Sequence, residues 1–417
     1  QDGEQTALAL QDVRMPPTAF LKQFLGSAGE QVDSPTPAQR LLFGDTRRRV
    51  PRQVNTDRPV MFGALLPTGT WGLAHAASAV YFDSHLGERL ESAFRDFARY
   101  TGRQHRPVTA HNVDGAKLIL VVQGAAIETA EAVADHLHDL RVGVIGIRCL
   151  RPFPAAEIVD LLGQGARVCV LERMDSPLAG DPPLMRELRS ALECALESDR
   201  FGHDSRSGRG SLNQRQQPGF LSVIYGMGGF PLRSADLIAL CRQAETLKRT
   251  KVYLGITFTE AFSSYPKRQV LLDRLRRSHP EISDLGLRAQ QPSPRLEPKE
   301  SVSVALYRRS GGQGASLASA LGSLLQGLLQ GGLRCRPGQA TESWGGCVVD
   351  RITAAAEALR DPGDEIPVDL ALIIAGSRFH GSCPGLEISE AGVLLIVSGD
   401  EDLWSALPGT LQSQVKK

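Results

Sequence analysis

The sequence predicts an α/β protein with two open, mostly parallel sheets, and three observations carry that prediction. The first is Leu118–Val122, a continuous apolar run of the kind found in strands that are covered on both faces. The second is the regular alternation of strand-like and helix-like segments between residues 118 and 171. The third is another strand-like segment, Val302–Tyr307, which leads directly into a glycine-rich turn and a helical pattern.

The first predicted sheet consists of strands joined by helices, which is typical of parallel pairing with right-handed crossover connections. Its strands are expected to be short apolar runs, at residues 118–122, 142–147, 168–171, 221–225 and 252–256. The helices between them show apolar residues at helical spacing, at residues 128–140, 155–162 and 234–247. The second sheet is expected to contain strands at residues 302–307, 370–375 and 393–397.

The chain has 417 residues, which is enough for two or three domains at roughly 100–200 residues per domain. Changes in composition suggest four segments. Residues 1–56 are interpreted as the tail of a preceding domain and a linker, and 57–285 as the first α/β domain, with a mobile polar loop near 200–219. Residues 286–300 form a proline-rich linker, and 301–417 form a second, shorter α/β domain.

Composition narrows the class of protein. Hydrophobic residues make up 42% of the chain and charged residues 22%, which permits packed cores and argues against global disorder. The formal net charge of +1 gives no indication of a nucleic-acid partner, and no apolar run approaches the roughly 20 residues that cross a bilayer. The seven cysteines are widely spaced and form no Cys-x-x-Cys motif, so we expect a reducing cytoplasm rather than a disulfide framework.

Four short motifs follow one another in a characteristic order. Residues 121–129 read Val-Val-Gln-Gly-Ala-Ala-Ile-Glu-Thr, and 142–154 read Val-Gly-Val-Ile-Gly-Ile-Arg-Cys-Leu-Arg-Pro-Phe-Pro. Residues 170–177 read Val-Leu-Glu-Arg-Met-Asp-Ser-Pro, and 224–229 read Ile-Tyr-Gly-Met-Gly-Gly. In this order, the motifs resemble the middle region of pyruvate:ferredoxin (flavodoxin) oxidoreductases, in the 2-oxoacid:acceptor oxidoreductase family.

The resemblance covers most of residues 57–397 and implies a transketolase C-terminal-like domain followed by a truncated γ-like domain. The chain departs from the family pattern in two of its motifs. Thr257-Phe258-Thr259 replaces an acidic pair, and Trp344 replaces the arginine of a glycine-rich loop. The family's thiamine-binding motif and its cluster-binding cysteines are not found in the sequence. We therefore expect a chain that supports the thiamine and iron–sulfur chemistry without performing it alone.

The function implied by the resemblance is that of a component of a 2-oxoacid:ferredoxin oxidoreductase, which converts a 2-oxoacid and coenzyme A into an acyl-CoA and carbon dioxide. The chain would supply scaffold and coenzyme A contacts. Thiamine diphosphate, magnesium and iron–sulfur clusters are expected on partner chains or domains, with ferredoxin or flavodoxin as indirect partners. Association into an oligomer is also expected. Two alternatives stay open, namely a catalytically inactive homologue that acts as a structural or assembly subunit, and a plain nucleotide- or coenzyme A-binding module.

Two glycine-rich loops are candidate cofactor-binding sites in the second domain. The first loop consists of Ser310, Gly311, Gly312, Gln313 and Gly314, and the second loop contributes Glu342, Gly345 and Gly346. A glycine-rich turn that opens a helix exposes backbone N–H groups, which attract phosphate. The alternative interpretation is a tight structural turn in each case, because neither loop is a complete phosphate-binding motif.

Arg148 and Arg151 are the remaining candidates, because they follow a strand and therefore lie at the edge where open α/β sheets bind ligands. Their guanidinium groups can hold a carboxylate or a phosphate. Alternatively, they pair with Glu128 or Glu172 inside the domain. No catalytic residue and no metal ligand is predicted on this chain.

Overall fold

The computed structural model of the protein describes residues 18–27, 29–34, 36–49, 67–162, 166–201, 218–227, 232–259, 266–291, 293–296, 298, 300–309, 320–322, 324–325, 332–336, 347–357, 359, 367–375 and 388–398. These residues fall into two compact units, one ending at Arg106 and the other beginning at Pro107. The predicted domain boundaries at 57, 286 and 301 stay predictions. None of the described helices is long and apolar enough to span a membrane.

The described part of the unit that ends at Arg106 contains three helices and a small antiparallel pair of strands. Its elements are α1 (Thr18–Leu25), β1 (Gln31–Asp33), α2 (Pro37–Phe43), β2 (Thr46–Arg48) and α3 (Thr68–Thr101). Helix α2 begins where Thr36 accepts a hydrogen bond from the backbone N–H of Gln39, and Pro37 occupies its first turn. Helix α3 is 34 residues long and ends at Gly102, whose left-handed conformation closes the helix.

The second unit opens with a seven-stranded sheet. Its strands are β3 (Val108–His111), β4 (Leu118–Gln123), β5 (Val142–Ile147), β6 (Arg167–Glu172), β7 (Gly219–Ile224), β8 (Lys251–Leu254) and β9 (Gly286–Leu287). The helices are α4 (Ala126–His136), α5 (Ala155–Leu162), α6 (Pro183–Phe201), α7 (Ser234–Gln243) and α8 (Pro266–Ser278). The spatial order is β3-β5-β4-β6-β7-β8-β9, and every neighbouring pair is parallel except β3 with β5.

Buried side chains cover both faces of this sheet, because successive residues of a strand point to opposite sides. On one face, helices α4 and α7 pack through residues such as Ile127 and Leu237. On the other face, α5 and α6 pack through residues such as Ile158 and Leu188. The continuous apolar run of β4 follows from this arrangement, since its residues alternate between the two buried clusters.

Two glycines of β5 allow neighbouring segments to approach the sheet closely. A Cβ atom on Gly143 would lie 2.9 Å from the Cα of Val113, in the turn before β4. A Cβ atom on Gly146 would lie 2.5 Å from Oγ1 of Thr109 and 2.9 Å from the side chain of Ile127 on α4. Gly143, the second residue of the 142–154 motif, therefore has to be a glycine because a side chain there would clash with the turn before β4.

The second sheet has five strands and mixed pairing. The strands are β10 (Val302–Arg309), β11 (Gly332–Arg336), β12 (Cys347–Ala355), β13 (Val368–Ala375) and β14 (Ile388–Ser398). In the order β11-β12-β10-β13-β14, the pairs β10–β13 and β13–β14 are parallel, whereas β10–β12 and β11–β12 are antiparallel. The predicted α/β fold class with open, largely parallel sheets is confirmed. The antiparallel half of the second sheet was not predicted, because charged residues such as Asp350 and Arg351 interrupt the apolar pattern of β12.

Two predicted connecting segments are partly visible. In the predicted loop at 200–219, Arg200 still belongs to α6 and Gly219 begins β7, and residues 202–217 lie outside the described residues. In the predicted linker at 286–300, Gly286 and Leu287 form the edge strand β9. Arg295 then pairs with Asp369, with Nη2 and Oδ2 3.0 Å apart, so this end of the linker is held against the second sheet.

Candidate functional site

The carboxyl ends of the parallel strands form the edge of the first sheet at which α/β proteins usually bind ligands. Strand β6 ends there with Glu172, whose carboxylate is buried. Its Oε1 accepts the backbone N–H of Leu184 at 2.7 Å, and its Oε2 accepts that of Met185 at 3.2 Å. Glu172 thus satisfies backbone donors in the first turn of α6. Burial raises the pKa of Glu172 above its usual value, and these two hydrogen bonds only partly oppose that shift.

Asp175 forms the centre of a polar cluster three residues beyond β6. Its Oδ1 accepts a hydrogen bond from Nζ of Lys251 at 2.9 Å, and its Oδ2 accepts one from the hydroxyl of Tyr253 at 2.5 Å. Burial by itself raises the pKa of Asp175, but the hydrogen bonds from Tyr253 and Lys251 and the lysine charge outweigh burial and lower it. Burial and the contact with Asp175 raise the pKa of Tyr253 to about 12. The carboxylate is therefore held ionised.

Arg173 and Gly226 bring two of the sequence motifs together at this edge. Gly226 follows β7 with a φ of +72°, a conformation that favours glycine. A Cβ atom at this position would lie 2.6 Å from Nε of Arg173, so the arginine side chain lies directly against the glycine backbone. The backbone N–H of Tyr225 also donates to the carbonyl of Glu172 at 3.0 Å. The motifs at 170–177 and 224–229 thus contribute to one surface.

Arg148 and Arg151 lie at the same edge, immediately after β5. Arg151 pairs with Glu187, with Nη2 and Oε1 2.7 Å apart, and the Arg151 side chain stays largely exposed. Arg148 is exposed. Within the described ranges, neither arginine pairs with Glu128 or Glu172, because Glu128 lies 3.7 Å from Nη2 of Arg334 and Glu172 accepts the amides of α6. The arginines therefore remain at the surface of the edge, where the sequence predicted them.

The two glycine-rich loops, with Ser310, Gly311, Gly312, Gln313, Gly314, Glu342, Gly345 and Gly346, lie outside the described residues. Their flanking strands are described, and Arg309 at the end of β10 pairs in register with Cys347 at the start of β12. The first loop therefore leaves the second sheet, and the second loop returns to it, at neighbouring positions.

A buried ion pair lies near the ends of these two strands. Nε of Arg308 donates to Oδ2 of Asp350 at 2.6 Å, and Nη2 donates to Oδ1 at 3.0 Å. The side chains retain 10% and 1% of their full exposure, respectively. A bidentate pair with this degree of burial fixes the orientation of the guanidinium group.

Several polar residues at the carboxyl edge of the first sheet and in the second sheet were not identified from the sequence as site residues. They lie in strands or just beyond a strand end, and they are Glu172, Asp175, Lys251, Tyr253 and Asp350. A charged residue at the end of a buried strand is itself a signal, because burial without a partner is costly. Their partners, however, come from distant parts of the chain.

The magnesium of thiamine diphosphate and the iron–sulfur clusters that the resemblance implies each need several ligand side chains close together. Within the described ranges, no group of three or more His, Cys, Asp and Glu side chains is arranged to hold a metal ion. The described cysteines with free thiols are Cys149, Cys169, Cys194, Cys241 and Cys335. Burial raises the pKa of Cys169 to about 12, so its thiol stays protonated. These residues do not fit a cluster or a thiamine–magnesium site, and we assign no chemical step to such a group here.

Comparison with known proteins finds similarity in part of the first sheet. Residues 116–207 match the family described as pyruvate:ferredoxin oxidoreductase core domain II. A probable pyruvate-flavodoxin oxidoreductase of Escherichia coli is 31% identical over 150 residues, which are 35% of this chain. Pyruvate synthase subunit PorA of Methanothermobacter thermautotrophicus is 29% identical over 169 residues, or 40% of the chain. PorA of Thermotoga maritima is 26% identical over 223 residues, or 52% of the chain.

The matches cover 13%, 38% and 51% of the lengths of these three relatives, so the chain spans at most about half of each. The matched region, 116–207, includes strands β4 to β6 and the polar edge with Arg148, Arg151, Glu172 and Asp175. Residues 116–207 therefore match pyruvate:ferredoxin oxidoreductase core domain II, and over this region the chain is similar to a pyruvate-flavodoxin oxidoreductase and to pyruvate synthase subunits.

Proposed function

We propose that this chain is the non-thiamine-binding part or subunit of a 2-oxoacid:ferredoxin oxidoreductase. The complete reaction converts a 2-oxoacid and coenzyme A into an acyl-CoA, carbon dioxide and a proton, and passes two electrons to ferredoxin or flavodoxin. The observation that carries the proposal is the core domain II match at residues 116–207. The relatives named as subunits of pyruvate synthase support a role as one component of an assembly.

The contribution of this chain is scaffold and coenzyme A contacts. We propose that the cofactor-binding residues are Arg148, Arg151, Ser310, Gly311, Gly312, Gln313, Gly314, Glu342, Gly345 and Gly346. Two features support this proposal. Arg148 and Arg151 present guanidinium groups at the carboxyl edge of a parallel sheet, and such groups suit phosphate. The register of Arg309 with Cys347 brings the residue before the first loop and the residue after the second loop together.

Thiamine diphosphate, magnesium and iron–sulfur clusters would be supplied by partner chains or domains, because the described part of this chain offers no suitable set of ligands. The partners would therefore carry these groups, and ferredoxin or flavodoxin would meet the assembly through them. We place the protein in the cytoplasm, which the free thiols of the described cysteines favour. We also propose that the chain functions as part of an oligomer.

A second candidate function is that of a catalytically inactive homologue that serves as a structural or assembly subunit. Trp344 at the position of the family's arginine favours this function, because tryptophan cannot replace a bidentate anion contact. Thr257-Phe258-Thr259 in place of an acidic pair points the same way. The two candidates predict the same partners and differ in the activity of the assembly.

The test is a native purification of this chain with its partners, followed by mass spectrometry and an assay of dye reduction. We expect co-purifying thiamine- and cluster-bearing polypeptides, and reduction of a viologen dye that requires both a 2-oxoacid and coenzyme A. An assembly with these partners and no such activity supports the structural subunit instead. Material without such partners contradicts both candidates.

The coenzyme A contacts are tested in the same assembly through Arg148→Gln. We expect the KM for coenzyme A to rise about tenfold, the loss of one charge-assisted contact, with little change in the KM for the 2-oxoacid. Arg242→Gln is the matched control, because Arg242 is an exposed arginine on α7 away from the edge. Equal KM values for coenzyme A in both variants would remove Arg148 from the site.

A further inference from the structure

A cavity lies at the amino-terminal edge of the first sheet, at the end opposite to the polar edge described above. Its volume is about 850 Å³. The walls are formed by the turn between β3 and β4, the end of α4 and the start of β5. This volume lies in the range of small-molecule sites, which is roughly 300–1,000 Å³. The residues that line it have no role in the proposed oxidoreductase function.

One wall of the cavity is held by a polar network. The side chains of His111 and Asp135 are in contact, with Nε2 and Oδ1 2.6 Å apart. The amide of Asn112 donates to the same Oδ1 at 2.9 Å. This network joins the end of β3 to helix α4 and fixes the position of the Asp135 carboxylate.

The backbone around the cavity is unusual at two positions. Asn112 has a φ of +53° and Arg141 a φ of +48°, and both residues line the cavity. Among the described residues, Leu178 is the one further non-glycine residue with a positive φ. Such conformations are uncommon and concentrate at binding sites, where surrounding contacts maintain them. The hydrogen bond from the Lys117 N–H to the Arg141 carbonyl, 3.1 Å long, is one such contact.

Three ionisable side chains of the cavity form no hydrogen bond or ion pair with other side chains in the described part of the protein. Asp114, His138 and Arg141 line the cavity and are exposed. None of the three has a side-chain hydrogen bond or an ion pair with another described residue. A carboxylate and a guanidinium are therefore both available around one cavity.

The floor of the cavity is apolar. Val113, Leu137 and Val142 are buried, and Leu161 and Ala134 complete this surface. The site thus combines a negative group, a positive group and an apolar surface. A small zwitterion with an apolar substituent matches all three features, because each of its charges meets an opposite charge while its substituent covers the floor.

We propose that this cavity binds a small zwitterion with an aliphatic side chain, of the α-amino acid class. Arg141 receives the ligand's carboxylate, and Asp114, together with the fixed Asp135, receives its ammonium group. His111 and Asn112 position Asp135. The site is distinct from the carboxyl edge of the sheet, so this inference does not depend on the oxidoreductase function.

The experiment measures the binding of L-leucine to the full chain by isothermal titration calorimetry. Two close analogues separate the charges, since 4-methylpentanoate lacks the ammonium group and 3-methylbutylamine lacks the carboxylate. Glycine keeps both charges and lacks the aliphatic group. We expect L-leucine to bind at least about tenfold more tightly than each of the three other molecules.

Three variants assign the contacts. Arg141→Gln and Asp114→Asn should each weaken L-leucine binding about tenfold, and Arg141→Gln should leave the weak binding of the amine unchanged. Asp139→Asn is the matched control. Asp139 is an exposed carboxylate in the turn between α4 and β5, which also contains Arg141, and it does not line the cavity. Its affinity should equal that of the unmodified chain. Thermal unfolding of each variant checks that the fold is intact.

Three results would contradict the proposal. The first is the absence of L-leucine binding by the unmodified chain at millimolar concentration. The second is binding that Arg141→Gln and Asp114→Asn leave unchanged in correctly folded protein, because the ligand would then occupy another place. Equal binding of L-leucine and 4-methylpentanoate would also count against the proposed ammonium contact.

Discussion

At the scale of single residues, the Asp175 cluster shows how a charge is kept at a partly buried position. The carboxylate retains 12% of its exposure, and both of its oxygens accept hydrogen bonds from β8. Lys251 supplies a compensating charge and Tyr253 a neutral donor. The lowered pKa of Asp175 means that the folded state binds its proton less readily than the unfolded state does.

We expect Tyr253→Phe to lower the free energy of unfolding at pH 7 by about 1–2 kcal/mol, because the ionised Asp175 loses a strong donor. The stability that Asp175 contributes is present above the pKa of an unfolded aspartate, and it is lost as the pH falls through the lower folded value. The effect of the substitution should therefore shrink below about pH 4. Urea unfolding at a series of pH values measures it.

Tyr100→Phe is the control for this prediction, because the Tyr100 hydroxyl accepts a hydrogen bond from the exposed Arg99 on helix α3. An exposed contact of this kind contributes little. If Tyr253→Phe changed the free energy of unfolding at pH 7 no more than Tyr100→Phe does, the hydrogen bond to Asp175 would not stabilise the folded state.

At the scale of elements, strand β5 shows why two glycines occur in an otherwise apolar strand. Gly143 lies under the turn before β4, and Gly146 lies between Thr109 of β3 and Ile127 of α4. Any side chain at either position would push the neighbouring element outward. Helix α4 can therefore pack closely on the sheet because Gly146 has no side chain.

We expect Gly146→Ala to lower the free energy of unfolding by about 1–3 kcal/mol, because the new methyl group would lie within 2.9 Å of the fully buried Ile127. Gly180→Ala is the matched control, since a Cβ atom there meets nothing within 4 Å. The control should change stability by less than about 0.5 kcal/mol. Denaturant unfolding followed by circular dichroism compares the two, and an equal effect would contradict the steric account.

The Arg308–Asp350 pair belongs to the same scale, because it joins strand β10 to strand β12. Arg308 lies next to the last residue of β10, and Asp350 lies inside β12. The pair explains how a charged residue is accommodated in the middle of β12. Removing the Asp350 carboxylate would leave the buried Arg308 guanidinium without its bidentate partner, and breaking a buried pair in this way costs several kcal/mol. The antiparallel half of the second sheet thus depends on a contact between strands far apart in sequence.

At the scale of the whole molecule, the described residues form two compact units that meet in sequence between Arg106 and Pro107. The two buried clusters of the seven-stranded sheet are composed of residues from Val108 onwards. The second sheet has its own, smaller clusters. Among the described residues, the clusters of this sheet therefore consist of side chains from Val108 onwards alone.

We expect a chain that begins at Pro107 to fold and to unfold with the same denaturant midpoint as the full chain, because its buried clusters remain complete. Urea unfolding of both chains, followed by the fluorescence of tyrosine residues and by circular dichroism, measures this. Insoluble protein or a clearly lower midpoint would show that the first unit contributes to the stability of the second.

Much of the first sheet could be predicted from the sequence. Strands β4 to β8 and the helices α4, α5 and α7 were located within a few residues, because long apolar runs and helical spacing are local patterns. Strands β11 and β12 were missed, since their residues are polar on one face and their pairing is antiparallel. The short edge strands β3 and β9 carry too little apolar pattern to be recognised.

The candidate site was predicted less completely. Arg148 and Arg151 lie at the predicted edge of the sheet, and the eight loop residues between Ser310 and Gly346 remain predictions outside the described ranges. The Asp175 cluster could not be anticipated, because Asp175 and Lys251 are 76 residues apart and meet only through the pairing of β6, β7 and β8.

The sequence by itself determined the α/β class, the positions along the chain of most of the parallel strands and the resemblance to the oxidoreductases, because these depend on local patterns and on the order of motifs. The tertiary structure decided which charged side chains share a partner, which glycines lie beneath a neighbouring element and where a cavity opens at the amino edge. These features arise from contacts between residues distant in the chain, and the pairing of strands brings them together only when the sheet forms.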